Sequence, residues 1–156
     1  MGVSGSGKTT LGKAIAETFN YVFLEGDAFH SESNKEKMKK GIPLTDEDRF
    51  PWLKAINQTL LRNKGQKIVL ACSALKKNYR ELLEHQLTPN SILWIHLRSA
   101  FVVLKKRMEN RDHFMPVSLL KSQLETLEPP EKALTINSTL TTEKMIHKLK
   151  LHLNEQ

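Results

Sequence analysis

The stretch Gly2-Val3-Ser4-Gly5-Ser6-Gly7-Lys8-Thr9-Thr10 matches the pattern G-x-x-x-x-G-K-[ST] in full, and a helical pattern of apolar residues follows at once. Small residues let successive backbone N–H groups point at one place, and the positive N-terminal end of the next helix faces the same place. The stretch therefore predicts a loop that binds the phosphates of a nucleotide. The alternative is a loop rich in glycine and serine that fits the pattern by chance.

Two side chains of this loop have predicted roles in nucleotide binding. Lys8 is expected to contact the β- and γ-phosphates, and Thr9 to hold Mg²⁺ through its hydroxyl. Such a loop normally follows a buried strand of about five or six residues, whereas only three residues precede the turn here. We expect either that the first strand is truncated in this chain or that the short stub suffices. The residues assigned to nucleotide binding are Gly2, Val3, Ser4, Gly5, Ser6, Gly7, Lys8, Thr9 and Thr10.

Composition narrows the class of protein. A chain of 156 residues suits one domain, expected to span residues 1–156, and the lone cysteine, Cys72, indicates a reducing, cytoplasmic setting. No apolar run approaches the roughly 20 residues that cross a bilayer, so no membrane association is expected. The net charge of +7 invites a nucleic-acid partner. Because the basic residues are spread over several predicted helices without interleaved aromatic residues, we expect no nucleic acid. The single cysteine and the lack of histidine pairs at ligand spacing argue against zinc.

Strand and helix patterns alternate along the chain. Near-continuous apolar runs at residues 21–24, 68–72, 92–95 and 134–136 predict strands. Helices are predicted from Leu11, Ile15 and Phe19 near the start, and from Met145, Leu149 and Leu153 behind a cap at Thr141 or Thr142. Strands of this kind separated by helices predict an α/β fold with a parallel sheet covered by helices on both faces.

Two segments depart from this minimal pattern. Residues 28–62 form a predicted insertion over the carboxyl end of the sheet, where α/β proteins bind ligands. Within it, Thr45 and Asp48 form a predicted capping pair, and Pro51 suits the first turn of a helix that carries Trp52 inward. Residues 107–117 fall between two helical patterns and predict a short lid. The insertion is expected to grip the substrate.

The combination of short blocks along the chain resembles the small P-loop gluconokinases, relatives of the shikimate and nucleoside monophosphate kinases. The resemblance implies a P-loop kinase fold, and transfer of phosphate from ATP, with Mg²⁺, to D-gluconate, giving 6-phospho-D-gluconate. The blocks are Gly26-Asp27 with His30 and Asn34; Lys37-Met38; Gly41-Ile42-Pro43-Leu44; Asp46 and Asp48-Arg49; Pro51-Trp52-Leu53; Ala71-Cys72-Ser73-Ala74-Leu75-Lys76 with Tyr79-Arg80; His113-Phe114-Met115; Ser122-Gln123; and Thr126-Leu127-Glu128-Pro129.

Catalytic roles follow for three residues under this resemblance. Lys8 neutralises charge on the moving phosphate, and Asp27 accepts a hydrogen bond, and in one interpretation the proton, from the acceptor hydroxyl. The alternative for Asp27 is a cap on the next helix. On the lid side, Arg107 and Arg111 are candidates for contacting the adenine or the transferring phosphate, and the sequence does not separate them. We assign Arg111 to catalysis and Arg107 to nucleotide binding.

Substrate binding is assigned to Asp27, His30, Arg49, Lys76, Arg80 and His113. A guanidinium fits a carboxylate through two parallel hydrogen bonds, so Arg49 is expected to hold that of gluconate, the alternative being an ion pair with Asp46 or Asp48. His30 either contacts sugar hydroxyls or is simply solvated.

Three functions stay open at this point. They are a gluconokinase, a kinase of another small sugar acid, polyol or shikimate-like substrate, and a nucleotide-binding regulator without turnover. A homodimer is expected only from its frequency among enzymes of this size.

Overall fold

Short strands alternate with helices along the part of the chain that this computed structural model describes, residues 1–110 and 116–154. Four-residue strands and helices of 8 to 17 residues make up an α/β fold, as the sequence predicts. The elements are α1 (Lys8–Phe19), β1 (Val22–Glu25), a 3-10 helix (Gly26–Phe29), α2 (Glu32–Lys39), α3 (Asp46–Arg62), β2 (Ile68–Ala71), α4 (Lys77–Glu84), β3 (Ile95–Arg98), α5 (Phe101–Glu109), α6 (Ser118–Thr126), β4 (Leu134–Asn137) and α7 (Thr142–Asn154).

The sheet consists of two parallel pairs of strands with the N-terminus of the chain between them. β1 pairs with β2, with Val22 opposite Ile68, and β3 pairs with β4. Met1 lies between the pairs: its amino group donates to the carbonyl of Ile95, and its own carbonyl accepts from the N–H of Leu97 at 2.9 Å. Gly2 bonds to the other pair, since its N–H donates to the carbonyl of Ser73 at 3.2 Å. Met1 and Gly2 thus take the place of the end of a central strand.

Helices cover both faces of these strands, which confirms the predicted layering. On one face, Leu11 and Ile15 of α1 pack with Met145, Ile146 and Leu149 of α7. The opposite face is covered by α3 and α4, whose buried members are Trp52, Leu53, Ile56, Tyr79 and Leu83. A third cluster lies beneath the loop of residues 2–7 and contains Val3, Leu75, Leu104, Met108 and Leu120.

Three local predictions need correction. The third strand lies at Ile95–Arg98 instead of residues 92–95, because the segment before it borders an open space between β2 and β3. Pro51 lies inside α3 instead of opening it, since the helix begins earlier, at Asp46. Leu153 is 40% exposed and does not belong to the buried stripe of α7.

Two predicted caps are confirmed. The hydroxyl of Thr45 accepts from the N–H of Asp48 at 3.2 Å, and the Asp48 carboxylate accepts from the N–H of Thr45 at 2.9 Å. This reciprocal arrangement satisfies two N–H groups at the start of α3. Thr141 caps α7 through the N–H of Lys144. Among the described helices, none combines the length and the apolar character that crossing a membrane requires.

Candidate functional site

The loop between the first residues and α1 has the backbone shape that its glycines predict. Gly7 is the N-cap of α1 at a φ of 91°, and a Cβ at this position would meet no atom within 4 Å. Glycine is therefore favoured at this position by the left-handed backbone conformation, and not by a lack of space for a side chain. No side chain at the N-cap bonds to the first N–H groups of α1, and groups of this kind at the start of a helix bind phosphate oxygens.

Lys8 projects over this loop from the first turn of α1. Its ammonium donates to the carbonyl of Val3 at 3.0 Å, which holds the side chain against the loop. Burial lowers the pKa of Lys8, and the nearby carboxylates of Asp27 and, to a smaller extent, Glu25 oppose that shift. The ammonium is thus held at the phosphate loop, close enough to Asp27 for the two charges to interact.

Thr9 has a partner that the sequence did not suggest. Its hydroxyl donates to the carboxylate of Glu25 at 2.7 Å, and Glu25 is the last residue of β1. The position of an acid at the carboxyl end of a strand, just before Gly26-Asp27, was the available signal. Thr9 and Glu25 together provide oxygen atoms of the kind that Mg²⁺ prefers.

A small polar cavity opens beside Lys8 and brings together four of the predicted residues. Its volume is about 40 Å³, and Lys8, Asp27, His30 and Arg49 all line it. These residues come from α1, the 3-10 helix, its C-cap and α3, so only the folded chain assembles them. The other lining residues are Ser4, Met38, Pro43, Leu44, Trp52, Ser73, Leu75, Leu119, Ser122 and Gln123.

Asp27 reaches this cavity from the 3-10 helix that follows β1. Its side chain is 38% exposed, and its Oδ1 lies 4.0 Å from Nε2 of His30. The alternative role as a helix cap does not hold for α2, because Ser31 is the N-cap and accepts from the N–H of Asn34. The carboxylate is therefore positioned toward the cavity.

His30 is buried and neutral, which excludes the interpretation of a solvated side chain. It is 7% exposed and stacks on Trp52 with the ring centroids 4.1 Å apart. Burial, with smaller contributions from the positive charges of Arg49 and Lys35, lowers the pKa of His30 to about 4. Trp52 is fixed in turn, since its Nε1–H donates to the carbonyl of Gly26 at 2.8 Å.

Arg49 lies on the wall of the cavity without pairing to the acids considered from the sequence. Its Nη1 donates to the carbonyl of Leu44 and to the hydroxyl of Tyr79, and its guanidinium lies 5.6 Å from the centre of the Tyr79 ring. Tyr79 donates to Asp46. Asp46 pairs with Lys76 at 3.1 Å, and Asp48 with Lys37 at 2.7 Å.

The remaining predicted residues lie elsewhere. The ion pair with Asp46 holds Lys76, and Lys76 does not line the small cavity. Arg80 is buried and donates to the carbonyls of Ala74, Leu75 and Glu128, so its bonds join α4 to two loops. Arg111 and His113 fall outside the described residues.

Arg107 of α5 contacts the backbone of the phosphate loop. Its guanidinium donates to the carbonyl of Gly5 at 3.3 Å, and to the hydroxyl and carbonyl oxygens of Ser138 at 2.9 and 2.7 Å. Arg107 thereby joins α5, the loop and the segment after β4. A second link that sequence reasoning missed is Gln123, whose side-chain oxygen accepts from the N–H of Ser4 at 2.7 Å.

In the part of the chain that the structure describes, we find no site where protein side chains alone would hold a metal ion. No group of three or more histidine, cysteine or acidic residues there could hold an ion. Mg²⁺ in nucleotide sites is usually held by one or two protein groups together with phosphates. Thr9 and Glu25 fit that arrangement.

The chain is similar to known kinases in sequence and in fold. The family model described as shikimate kinase matches residues 4–145. A probable gluconokinase of Xenopus tropicalis is 44% identical over 146 residues, which cover 83% of this chain and 77% of that protein. The crystal structure of a gluconokinase from Sinorhizobium meliloti 1021 has a TM-score of 0.84 at 44% identity, covering 95% of this chain and 85% of that one. An unliganded sugar kinase from Janibacter sp. HTCC2649 has a TM-score of 0.89 at 42% identity, covering 99% and 91%.

Proposed function

The chain belongs to the gluconokinases, in the wider shikimate kinase family, and on that premise we propose that it phosphorylates D-gluconate with ATP to give 6-phospho-D-gluconate. One observation of the structure carries this proposal. Lys8 of the phosphate loop lines the same small cavity as Asp27, His30 and Arg49. A phosphate donor and a polyhydroxy acid would therefore meet at one place.

The donor half of the site is the loop of residues 2–10. The N–H groups at the start of α1 and the ammonium of Lys8 bind and neutralise phosphate oxygens. Mg²⁺, when bound, would neutralise charge on the β- and γ-phosphates. Thr9 and Glu25 are the protein groups whose oxygen atoms would hold it. Arg107 holds the loop in shape through the carbonyl of Gly5.

In the acceptor half, Asp27 acts on the terminal hydroxyl of gluconate. The hydroxyl oxygen attacks the γ-phosphorus and forms a new P–O bond, while the bond from that phosphorus to the β–γ bridging oxygen breaks. The hydroxyl proton passes to the Asp27 carboxylate, and ADP leaves with the electron pair of the broken bond. Alignment and charge neutralisation supply most of the rate enhancement in reactions of this class.

Recognition of gluconate rests on Arg49 and His30. Arg49 donates both of its described hydrogen bonds through Nη1, and a guanidinium has five N–H donors, so it can also bind a carboxylate. His30 is neutral because of its lowered pKa. Its Nδ1 lies 3.4 Å from Nδ2 of Asn34, so Nε2, which faces Asp27, is the ring nitrogen for a sugar hydroxyl. Arg111 and His113, which lie outside the described residues, remain part of this proposal on the resemblance alone, and the expected lid is reduced at its start because residues 107–109 belong to α5.

The experiment that tests the function is a coupled ADP-release assay on a panel of acceptors with ATP and Mg²⁺. We expect turnover with D-gluconate, and much weaker turnover with uncharged polyols of the same length, because these lack the carboxylate. The variant Lys8→Ala should lose turnover while keeping its melting temperature, which excludes a contaminating kinase. Turnover of shikimate or a nucleoside monophosphate without turnover of gluconate would overturn the proposal.

The same assay tests the carboxylate site. Arg49→Lys should raise the KM for gluconate by about 10–100-fold, the value expected when a charged hydrogen-bonding pair is weakened. The KM for ATP should change little. Arg62→Lys, an exposed position at the end of the same helix, is the matched control and should match the wild type.

A further inference from the structure

The buried side chain of Asn34 joins His30 to the start of α3. Asn34 belongs to α2, is 5% exposed and is not among the residues that line the small cavity. Its Nδ2 donates to the backbone carbonyl of Asp48 in α3 at 2.8 Å, and the same nitrogen lies 3.4 Å from Nδ1 of His30. Asn34 therefore contacts two segments of the substrate-binding insertion without reaching the cavity itself.

The contact with Asp48 fixes the orientation of the Asn34 amide. A backbone carbonyl oxygen only accepts hydrogen bonds, and of the two ends of a side-chain amide only the NH₂ group donates. The atom 2.8 Å from the Asp48 carbonyl is therefore the amide nitrogen. Because this nitrogen also faces His30, the imidazole meets a hydrogen-bond donor at its Nδ1.

A donor at Nδ1 is compatible with one form of the His30 ring. In a neutral imidazole one nitrogen carries the hydrogen and the other accepts, whereas an imidazolium donates from both nitrogens. Since Nδ1 accepts from Asn34, the ring is neutral and its hydrogen lies on Nε2. Burial acts in the same direction, because it lowers the pKa of His30 to about 4. A ring rotated by half a turn would place the carbon Cδ2 against the NH₂ group, and this carbon cannot accept.

The plane of the His30 ring is held by Trp52. The two rings stack with an angle of 17° between their planes, and the indole is anchored by its hydrogen bond to the carbonyl of Gly26. Nε2–H therefore has a defined position, 4.0 Å from Oδ1 of Asp27. Both His30 and Asp27 line the small cavity together with Lys8.

The separation of 4.0 Å between Nε2 of His30 and Oδ1 of Asp27 fits one hydroxyl group placed between them. It is longer than a direct N–H···O hydrogen bond, which spans about 2.7–3.2 Å. An oxygen atom about 2.8 Å from both atoms would bond to them at an angle of roughly 90°. Since Nε2–H donates and the carboxylate accepts, that hydroxyl would accept from His30 and donate to Asp27.

We propose that Asn34 is a positioning residue, which holds His30 as the Nε2–H tautomer so that His30 and Asp27 together orient the attacking hydroxyl of the substrate. This inference rests on the proposed function. The hydroxyl oxygen is bonded to its carbon, its hydrogen points at Asp27, and one lone pair accepts from Nε2–H. The second lone pair remains for the γ-phosphorus. Because Nε2 already carries a hydrogen, His30 takes no proton, and the hydroxyl proton passes to Asp27 alone.

The tautomer of His30 is tested by NMR of the unliganded protein, labelled with nitrogen-15, at about pH 8, where even an unburied imidazole is neutral. A ring nitrogen with a hydrogen and one without differ in chemical shift, and long-range proton–nitrogen correlations distinguish Nδ1 from Nε2. The His30→Gln variant identifies the signals of His30 by their loss. We expect the hydrogen on Nε2. A hydrogen on Nδ1, or an equal mixture, would overturn the proposal. This measurement involves no gluconate, so its result is independent of the proposed reaction.

The role of Asn34 is tested by Asn34→Asp, which changes the side chain little in shape. A carboxylate accepts and does not donate, so the hydrogen of His30 should move to Nδ1. The kcat with gluconate should then fall by about 10–100-fold, as expected when one hydrogen bond at the reacting group is lost. The KM for ATP should change little. Asn154→Asp, at the exposed end of α7, is the matched control and should keep the tautomer and kcat of the wild type.

Two results for Asn34→Asp would contradict this role. A lowered melting temperature with the hydrogen still on Nε2 alone would show that Asn34 only supports the fold. A hydrogen moved from Nε2 to Nδ1 without a loss of kcat would show that His30 does not orient the hydroxyl. If Asn34→Asp does not fold, the spectrum of the wild type still decides the tautomer.

Discussion

The two cavities of this protein differ in size and in what surrounds them. One cavity, which we call the slot, lies between β2 and β3, measures about 510 Å³ and is walled mainly by apolar side chains. The cavity beside Lys8 measures about 40 Å³ and is lined by Asp27, His30 and Arg49. Only the small cavity combines an acid, a cation and a neutral imidazole at a phosphate loop. Convergent polar groups, and not volume, therefore identify the reactive site.

The two cavities are nevertheless linked. Lys8 lines both of them, and Met1 and Gly2 connect the slot to the loop. Changes in the slot are expected to act on stability first and on nucleotide binding through the loop. Changes at Asp27 in the small cavity are expected to act on catalysis with little effect on stability, whereas the buried His30 also contributes to the pH dependence of stability. Three substitutions test this separation.

The largest effect is expected for Asp27→Asn in the small cavity. Loss of the carboxylate that takes the hydroxyl proton should lower kcat by about 10²–10⁴-fold. The melting temperature and the Kd for ATP should stay close to those of the wild type, as measured by thermal unfolding and titration. Glu47→Gln, which removes an exposed acid of α3, is the control. An unchanged kcat for Asp27→Asn would leave the residue without a role in proton transfer.

A smaller effect, on stability alone, is expected for Ile15→Ala in the wall of the slot. Ile15 is 6% exposed and packs with Leu97 and Ile146. Truncation of such a side chain costs about 2–5 kcal/mol in the free energy of unfolding. Denaturant unfolding should show this loss, while kcat for the folded fraction stays unchanged. Glu17→Ala, exposed on the same helix, should change neither quantity. A fall in kcat without a loss of stability would contradict the separation of the two cavities.

The smallest effect is expected from the titration of His30. Its pKa is about 4 in the folded chain and about 6.5 in an unfolded one. Between these values the unfolded chain binds more protons, so stability falls as the pH is lowered from about 6.5 toward 4. The variant His30→Gln should flatten this decline. Burial also lowers the pKa of His96, so part of the decline should remain.

Melting temperatures measured between pH 7 and pH 4 provide the check on His30. His147→Gln, at an exposed position of α7, is the control for the substitution itself and should change the melting temperature at pH 7 little. If His30→Gln followed the wild type at every pH, the imidazole would not be held neutral by its burial against Trp52.

Patterns confined to neighbouring residues allowed most of the fold to be predicted. The capping box at Thr45 and Asp48 is local, because its two hydrogen bonds join residues three apart. The third strand was placed too early because residues 92–95 are as apolar as a strand, and only the two halves of the sheet show that pairing begins at Ile95. Apolar character alone does not distinguish a paired strand from the wall of a cavity.

The distinction between local patterns and long-range contacts also applies to the candidate site residues. Lys8, Asp27, His30 and Arg49 were expected together and lie around one cavity. Arg80 was expected there as well, but its guanidinium donates to three backbone carbonyls. An arginine in the sequence carries no sign of whether its partners are carbonyls of its own chain or a ligand, since these partners lie up to 48 positions away.

The sequence by itself determined the phosphate loop, the α/β order of the elements and the family, because these depend on residue types at fixed short spacings. The tertiary structure decided that His30 is neutral, that Glu25 accompanies Thr9, and that an apolar slot lies beside the loop. Each of these depends on burial and on contacts between distant segments. Burial shifts a pKa, and the pairing of strands defines a cavity, only after the chain has folded.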